Sequence, residues 1–384
     1  MTVLTRIREV GVVRKGNRSD RILFVTVLAL SALGLLMIYS ATRTSGTFSM
    51  ERQMIFVAAG LIIYLVFSNI DYREYRGILP AASVVIMVLL FAVFLFEPIS
   101  EVNRWIPLGF FNLQPAEFAK VVVIVALASL LAPSSRDDEP QRSVSWKKVG
   151  QAILIVAVPA AVIYRQPDLG TTMVFGFILL VLLFAAGATW RQMVTLVSVS
   201  LLSVVAAFRF GWLSEYQMNR IECLIDSDID PLDLCYQLGQ SMRAIGSGQL
   251  FGKGIFQEGS LTHFEYVPEQ QTDFIFTAVA EQFGLLGGLF VLAAFVIIIW
   301  RLLVIAASAR DRFGALIAVG IAAMLMFHVF VNIGMTIGIM PVTGLPLPFL
   351  SQGGSFYMSM ALAVGISNSI WLLRTPVPTE NQLL

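Results

Sequence analysis

Long apolar segments alternate with short polar connections along almost the whole chain. A helix needs about 17–20 apolar residues to cross the roughly 30 Å hydrocarbon core of a bilayer, and the chain offers ten such windows, of which the short fifth one is expected to extend into its flanks. These windows are continuously apolar, whereas barrel strands alternate apolar and polar positions, so the pattern predicts an all-α bundle. We place the ten spans near residues 22–41, 54–70, 77–96, 115–132, 149–164, 171–189, 192–208, 274–300, 313–335 and 353–373.

The composition agrees with a multi-pass membrane protein. Hydrophobic residues make up 57% of the 384 positions and charged residues 13%, against about 45–50% and about 25% in soluble domains. The 26 Lys and Arg nearly balance the 25 Asp and Glu, so no basic excess indicates a nucleic-acid partner. With two His, two Cys and no HExxH or CxxC sequence, the chain does not predict a zinc site.

The positions of the basic residues predict how the chain is oriented. If the N-terminus is cytoplasmic, most Lys and Arg fall on the cytoplasmic side, as the positive-inside rule requires. We therefore expect a basic cytoplasmic tail at 1–20, a membrane domain at 21–373 and a second cytoplasmic tail at 374–384. The short connections on the opposite side carry Arg43, Arg52, Arg104 and Arg165.

One connection is much longer than the others and spans residues 211–272, between the seventh and eighth spans. It is rich in aromatic residues and is neither low-complexity nor strongly charged, so we expect an ordered extracytoplasmic cap. Both cysteines, Cys223 and Cys235, lie in it. An oxidising compartment permits a disulfide between them, which would contribute up to about 3 kcal/mol by loop entropy.

The fourth span carries two charged residues, Glu117 and Lys120. Being three residues apart, they lie on one helical face within pairing distance. A charge at the middle of a span costs at least about 2.5–3.5 kcal/mol and normally faces a partner or a wet cavity. Two interpretations stay open: a structural ion pair, or a cavity wall that contacts an anionic or sugar substrate.

Two carboxylates belong to the eighth span. Asp273 follows Thr272 at its start, and Glu281, a candidate substrate-binding residue, lies two turns further along on nearly the same face. Position alone favours Thr272 or Asp273 as the N-cap of the helix, because a cap accepts the first free N–H groups. The alternative is that Asp273 is a general base acting on a lipid headgroup at the membrane surface.

Further candidate residues fall in connections on the same side of the membrane. Each cluster is compatible with turn and cap chemistry, but their shared side indicates a site. Arginines there can bind phosphate oxygens through two parallel hydrogen bonds. The candidates are Arg104 and Trp105 before the fourth span, Gln166 and Asp168 before the sixth, Arg220 and Arg243 in the cap, and Ser351 and Ser355 before the tenth.

Several long, ordered segments resemble the SEDS family (shape, elongation, division and sporulation) of ten-span bacterial membrane proteins. The resemblance covers nearly the whole chain, and its elongation branch matches better than its division branch at GKG (252–254) and MPVTGLPLPF (340–349). Three positions depart from the family pattern: Gln271, Gln282 and Gln352. The matching segments are GLLMIYSAT (34–42), RWIPLGFFNLQPAEFAK (104–120), QPDLGTT (166–172), GQSMRAIGSGQLFGKG (239–254), VPEQQTDFIFTAVAEQFGLLGG (267–288) and NIGMTIGIMPVTGLPLPFLSQGGS (332–355).

The resemblance implies a peptidoglycan glycosyltransferase of the bacterial cytoplasmic membrane that polymerises lipid II. It implies a class B penicillin-binding protein and other elongation-complex membrane proteins as partners. It also places the essential acid at the Asp of the TDF motif, Asp273, against the position-only preference for a cap. Finally, it places Glu117 and Lys120 in a central cavity and makes the Arg104 and Trp105 region functionally sensitive.

The predicted topology constrains the chemistry. A site on the outer face is separated from cytoplasmic nucleotide sugars, and the chain has no Walker-type loop, so the donor should arrive attached to a lipid. We expect Asp273 to accept the proton of the acceptor hydroxyl. Arg or Lys, or a divalent cation such as Mg or Mn, would stabilise the leaving pyrophosphate. The competing hypotheses are a lipid II flippase, a non-catalytic scaffold and the division-type polymerase.

Overall fold

The computed structural model describes residues 18–43, 49–98, 102–132, 143–211, 218, 220, 222–224, 234–258, 260–262 and 266–374. The expected tails, apart from residues 18–20 and 374, and part of the expected cap lie outside these ranges. The helices of the described residues are α1 (Arg21–Thr42), α2 (Ser49–Asn69), α3 (Tyr75–Ala92), α4 (Pro115–Leu131), α5 (Trp146–Arg165), α6 (Leu169–Ala185), α7 (Trp190–Arg209), α8 (Leu234–Gly248), α9 (Ile275–Ser308), α10 (Arg312–Thr336) and α11 (Gly354–Leu372).

The predicted all-α membrane bundle is confirmed, since each of the ten predicted spans coincides with a helix. Within the described residues, eight helical segments are long and apolar enough to cross a membrane. The other two predicted spans are α4 and α6, each 17 residues long. The described strands form one short antiparallel hairpin, β1 (Ile106–Pro107) and β2 (Asn112–Leu113), which leads into α4.

Polar side chains at the helix starts explain where several helices begin. Asp20 accepts from the backbone N–H of Leu23 at the start of α1, and Asp311 accepts from that of Gly314 at the start of α10. Thr189 and Gln192 form a reciprocal capping box at the start of α7. Each such cap satisfies N–H groups that have no partner inside the helix.

The last two helices form the centre of the bundle. In α10 and α11, 72% and 78% of the most apolar window is buried inside the protein, against 6% in α7. The buried apolar side chains of α1, α4, α6, α9, α10 and α11 form a continuous core. Helix α7 instead exposes most of its apolar side chains, as expected for a helix that faces lipid.

Helix α9 runs eight residues past its predicted end because Arg301 is accommodated within it. The guanidinium Nε and Nη2 of Arg301 both donate to Oδ2 of Asp20, at 2.9 and 2.6 Å. This pairing lets a charged residue continue the helix without an unpaired charge. Asp20 and Asp273 lie near opposite ends of α9, and we call the two ends of the bundle the Asp20 end and the Asp273 end.

Near the Asp273 end, the helical conformation of α9 is interrupted at Gly284, which has φ 65° and ψ −160°. The backbone groups released there bond to the segment after α8: Lys253 N–H donates to Glu281 O at 2.9 Å, and Leu285 N–H to Gln249 O at 2.8 Å. A Cβ at Gly284 would collide with the backbone nitrogen of Gly252. Gly284 therefore permits both the positive φ and the close approach of the two segments.

Candidate active site

Asp273 lies in the turn immediately before α9, and neither it nor Thr272 caps that helix. The N-cap residue is Phe274, which makes no side-chain cap bond. Thr272 instead donates its hydroxyl to the backbone oxygen and the carboxylate of Glu269, both at 3.0 Å. The position-only preference for a cap is therefore wrong, and the side chain of Asp273 is not engaged in holding the helix start.

The backbone of Asp273 is fixed from two sides. Its N–H donates to Glu269 O at 3.1 Å. Its carbonyl accepts from Nδ2 of Asn332 at 2.7 Å, and the same Nδ2 donates to Leu345 O at 2.7 Å. Asn332 is fully buried on α10, so it joins Asp273 to the loop that leads to α11. Sequence analysis did not identify Asn332, although a polar amide on an apolar span often joins helices.

The carboxylate of Asp273 faces the loop at Gly344. A Cβ at that glycine, which has φ 71°, would lie 3.2 Å from Oδ2 of Asp273. Within the described part of the chain, the two carboxylate oxygens make no hydrogen bond to a protein group. The backbone is thus held rigidly while the acidic group stays available for a ligand.

The surroundings of Asp273 favour its protonated form. Burial raises the pKa of Asp273 to about 7, and the negative charge of Glu269 acts in the same direction. Arg220 and Arg104 act in the opposite direction because they stabilise the carboxylate. A carboxyl group with a pKa close to neutral is suited to accept a proton in a catalytic step at physiological pH.

Arg104 lies just before the β-hairpin and binds the turn before α6. Its Nε donates to Gln166 O at 3.2 Å, and its Nη2 donates to Pro167 O. Gln166 is itself buried and donates from Nε2 to Leu90 O at 2.8 Å. Trp105 is half-buried beside Arg104. The predicted residues of these two connections are therefore brought together, close enough for Arg104 to influence Asp273.

Asp168 has a structural role at the start of α6. Its carboxylate accepts from Thr171 N–H at 3.0 Å, from Thr171 Oγ1 at 2.9 Å and from Gln114 Nε2 at 3.3 Å. Ser355 accepts from Gln114 N–H at 2.9 Å, and Ser351 accepts from Leu347 N–H at 2.8 Å. These predicted site residues hold the loops around the site, and the one carboxylate among them, that of Asp168, already accepts three hydrogen bonds.

Glu281 also has a structural role, because it binds the cap. Its Oε1 accepts from Lys253 Nζ at 3.0 Å and from Leu261 N–H at 2.9 Å. Its Oε2 accepts from Thr262 N–H at 2.9 Å and from Thr262 Oγ1 at 2.6 Å. Ser247 Oγ also donates to Oε1, at 3.5 Å. With five donors on two oxygens, this fully buried carboxylate anchors the cap to α9.

The two charged residues of α4 form a buried ion pair. Lys120 Nζ lies 2.8 Å from Glu117 Oε2 and 3.0 Å from Nε2 of His328. Because the ammonium can only donate, Nε2 accepts, and Nδ1–H of His328 donates to Pro346 O at 3.2 Å. Ser359 donates to Glu117 at 3.4 Å. The cluster links α4, α10 and α11; its contact with substrate stays a prediction.

The described part of the cap carries the other predicted residues. Cys223 and Cys235 are joined by a disulfide with a Cα–Cα distance of 5.1 Å. This bond ties the segment that carries Arg220 to the start of α8. Arg243 is exposed on α8. Among the described residues, no group of three or more His, Cys, Asp or Glu could hold a metal ion.

The comparisons with known proteins agree with this architecture. The model of the FtsW/RodA/SpoVE family, described as cell cycle protein, matches residues 20–373. The peptidoglycan glycosyltransferase MrdB of Escherichia coli K12 is 38% identical over 355 residues, which are 91% of this chain and 93% of that protein.

Two solved structures have the same fold. A chain from a peptidoglycan synthase complex, described as coordinating polymerization and crosslinking, matches with a TM-score of 0.77 and 27% identity, covering 92% of this chain and 97% of that chain. RodA of Thermus thermophilus, a rod shape determining protein, matches with a TM-score of 0.67 and 26% identity, covering 94% and 98%. The chain therefore belongs to the FtsW/RodA/SpoVE family of bacterial membrane proteins, the SEDS family.

Proposed function

We propose that this chain is a peptidoglycan glycosyltransferase that polymerises lipid II, the undecaprenyl-pyrophosphate-linked disaccharide peptide, into β-1,4 glycan strands. The observation that carries the proposal is the state of Asp273. Its backbone is fixed by Asn332, its carboxylate has no protein partner among the described residues, and its pKa is about 7. The family and the glycosyltransferase relatives support the same activity.

In the proposed reaction, Asp273 accepts the proton of the 4-hydroxyl of the acceptor sugar. The hydroxyl oxygen forms a bond to the anomeric carbon of the donor as the bond to the pyrophosphate oxygen breaks on the opposite side, which inverts the configuration. General-base catalysis of this kind contributes about 10²–10⁴-fold. Arg104 and Arg220, the two cations that act on Asp273, would stabilise the departing pyrophosphate. A divalent ion bound by the pyrophosphate would act in the same way.

Three other carboxylates are poor candidates for the base. Glu281 has five hydrogen-bond donors, Asp168 caps α6, and Glu117 is paired with Lys120 at 2.8 Å. A group whose oxygens already accept hydrogen bonds in the ground state must lose them before it can accept a substrate proton. Asp273 does not bear that cost.

The Lys and Arg distribution supports an orientation in which both termini are cytoplasmic and the Asp273 end faces outward. Lipid II would then be used on the outer face of the cytoplasmic membrane. A class B penicillin-binding protein, acting with other elongation-complex proteins, would cross-link the strands; the synthase complex that resembles this chain supports such a partner. Since a rod shape determining protein, RodA of Thermus thermophilus, is among the similar structures, we favour a role in elongation and rod shape over a role in division.

The structure gives less support to a flippase. A flippase needs a polar path through both leaflets, and the charged pair of α4 is sealed, with Lys120 at 0% and Glu117 at 2% exposure. Purified protein, with and without the partner, should convert fluorescent lipid II into strands that muramidase digests. Transfer of lipid II across liposomes without any strand synthesis would contradict the proposal.

A further inference from the structure

The segment after α8, residues 249–256, is attached to the bundle at both of its ends; we call it the tip loop. At one end, the carbonyls of Gln249 and Leu250 accept from the N–H groups of Leu285 and Leu286 on α9, at 2.8 and 3.3 Å. At the other end, the ring of Phe256 packs edge-on against that of a tyrosine near the end of α1, with 5.6 Å between centroids. The tip loop therefore bridges α9 and α1.

The bonds to α9 place the tip loop at the edge of the hydrocarbon core. Exposed large apolar side chains on α9 begin at Leu285 and continue to Leu303. At 1.5 Å per residue this stretch measures about 28 Å, close to the roughly 30 Å hydrocarbon thickness. Residues 275–284 lie beyond it and are mostly buried by protein. Leu250, bonded to Leu286, is therefore level with the membrane boundary.

The contact with the end of α1 also places the tip loop level with the membrane boundary. The partner of Phe256 is Tyr39, three residues before the last residue of α1. The guanidinium of Arg43, the next residue after α1, lies 5.6 Å from the centroid of the Phe256 ring. Helix α1 is 22 residues long, or about 33 Å, and it starts at the Asp20 end. Both attachments thus hold the tip loop at one plane.

Three apolar side chains of the tip loop point away from the protein. Leu250 is 56% exposed, Phe251 78% and Ile255 42%. Leu250, which is bonded to Leu286, adjoins the exposed side of α9, where Leu285 and Leu286 are 53% and 54% exposed. Such a cluster is unfavourable in water but is typical of a segment that lies in the membrane interface.

The backbone of the tip loop is also suited to a water-poor boundary. Gly252 N–H donates to Gly248 O at 2.7 Å, Lys253 N–H to Glu281 O at 2.9 Å, and Gly254 N–H to Gln282 O at 3.1 Å. The one cationic side chain of the loop, Lys253, is paired with Glu281. Irregular backbone tolerates the membrane boundary when its polar groups are satisfied by protein in this way.

We propose that the tip loop is an interfacial anchor, whose Leu250, Phe251 and Ile255 side chains insert into the leaflet at the Asp273 end of the bundle. Its ligand is the lipid surface itself. Because Lys253 of the tip loop also binds Glu281, the anchor fixes the position of the cap relative to the membrane. It thereby sets the depth at which the neighbouring site meets a lipid-linked headgroup.

Site-directed spin labelling tests this proposal. The two native cysteines are joined, so Phe251→Cys supplies the thiol for a nitroxide, and its exposure makes the substitution compatible with folding. The full chain, without partner, is placed in nanodiscs of phosphatidylethanolamine and phosphatidylglycerol. Leu289→Cys, on the exposed apolar side of α9, is the lipid control, and Glu258→Cys, on the exposed polar end of the same connection, is the water control.

We expect the label at position 251 to be relaxed by oxygen as strongly as the lipid control and to be protected from a water-soluble nickel chelate. A label at Ile255→Cys should behave in the same way. Nickel accessibility equal to that at position 258 would overturn the proposal, because the loop would then be in water. Protection from both reagents would also overturn it, since this would mean that protein covers the loop.

Discussion

Removal of the ammonium of Lys120 tests the buried ion pair of α4. In the Lys120→Met variant, the side chain of Glu117, which is 3% exposed, loses a cation at 2.8 Å and keeps the Ser359 hydroxyl at 3.4 Å as its hydrogen-bond donor. Nε2 of His328 loses its donor as well. The variant therefore leaves a carboxylate and an imidazole nitrogen without adequate partners in the middle of the bundle.

The cost follows from the energetics of buried pairs. Breaking such a pair by removing one partner costs about 3–5 kcal/mol, whereas replacing both partners with neutral groups of similar size is often close to neutral. We therefore expect Lys120→Met alone to lower the free energy of unfolding by about 3–5 kcal/mol. The double variant Glu117→Gln/Lys120→Met should be more stable than Lys120→Met alone by at least about 2 kcal/mol.

Reversible unfolding in mixed micelles with increasing dodecyl sulfate, followed by circular dichroism, measures these differences. The matched control is Lys147→Met, which removes an exposed lysine near the start of α5 and should change stability by less than about 0.5 kcal/mol. The ion-pair argument is refuted if Lys120→Met is no more destabilising than Lys147→Met. It is also refuted if the loss of unfolding free energy in the double variant equals the sum of the losses in Glu117→Gln and Lys120→Met.

The double variant also decides between the two sequence-based interpretations of the pair. We expect glycan synthesis to fall while the protein stays folded, because the resemblance places both residues in a central cavity. Full polymerase activity in a stably folded Glu117→Gln/Lys120→Met protein would show that the pair is structural. The two readouts are independent, so a loss of stability cannot be mistaken for a loss of substrate contact.

Three further predictions concern the site and the cap. Activity should rise with pH with an apparent pKa of about 7, because the carboxylate form of Asp273 is the active one. Glu269→Gln should shift this rise in activity to lower pH, and an unchanged pH profile would contradict the electrostatic account. Asn332→Ala should lower kcat roughly tenfold with little change in KM, since about 1–2 kcal/mol of hydrogen bonding to Asp273 and the loop is lost; an unchanged kcat would rule out this positioning role. Denatured, non-reduced protein should show no alkylation of Cys223 or Cys235, and two alkylated thiols would disprove the disulfide.

The sequence predicts the bundle well because span length and continuous apolarity are local properties of the chain. It predicts less well where a contact between distant residues decides the outcome. The extension of α9 depends on Arg301 pairing with Asp20, 281 positions away. The break at Gly284 is stabilised by hydrogen bonds to the backbone of the cap. The hydrophobic periodicity of α9 does not predict this break.

The same reasoning applies to the acidic residues of the candidate site. Sequence position alone favoured Asp273 as a helix N-cap, and Asp168 and Glu281 were candidate binding residues. In the structure, Asp168 is the N-cap of α6, and Glu281 anchors the extracytoplasmic cap to α9. Asp273 instead has a carboxylate without a protein partner among the described residues. Hydrogen-bond donors from other segments decide these roles, and a single sequence does not show which segments meet. The family resemblance identified Asp273 through the TDF motif.

The role of Asp273 as general base is tested most directly by polymerisation of lipid II with purified Asp273→Asn protein. Its matched control is Glu269→Gln, which removes the neighbouring exposed carboxylate. In the folded protein the pKa of Asp273 is raised from 3.8 to about 7, so ionisation costs stability as pH rises through that range. Asp273→Asn removes this cost and should be at least as stable as the wild type at pH 8.

We predict that Asp273→Asn lowers the rate of strand synthesis by at least roughly 10²-fold at pH 8. Expression, thermal stability and partner binding should be retained, and Glu269→Gln should keep most of the activity. Near-normal strand synthesis by stably folded Asp273→Asn protein would contradict the account, because the base would then have to be another group.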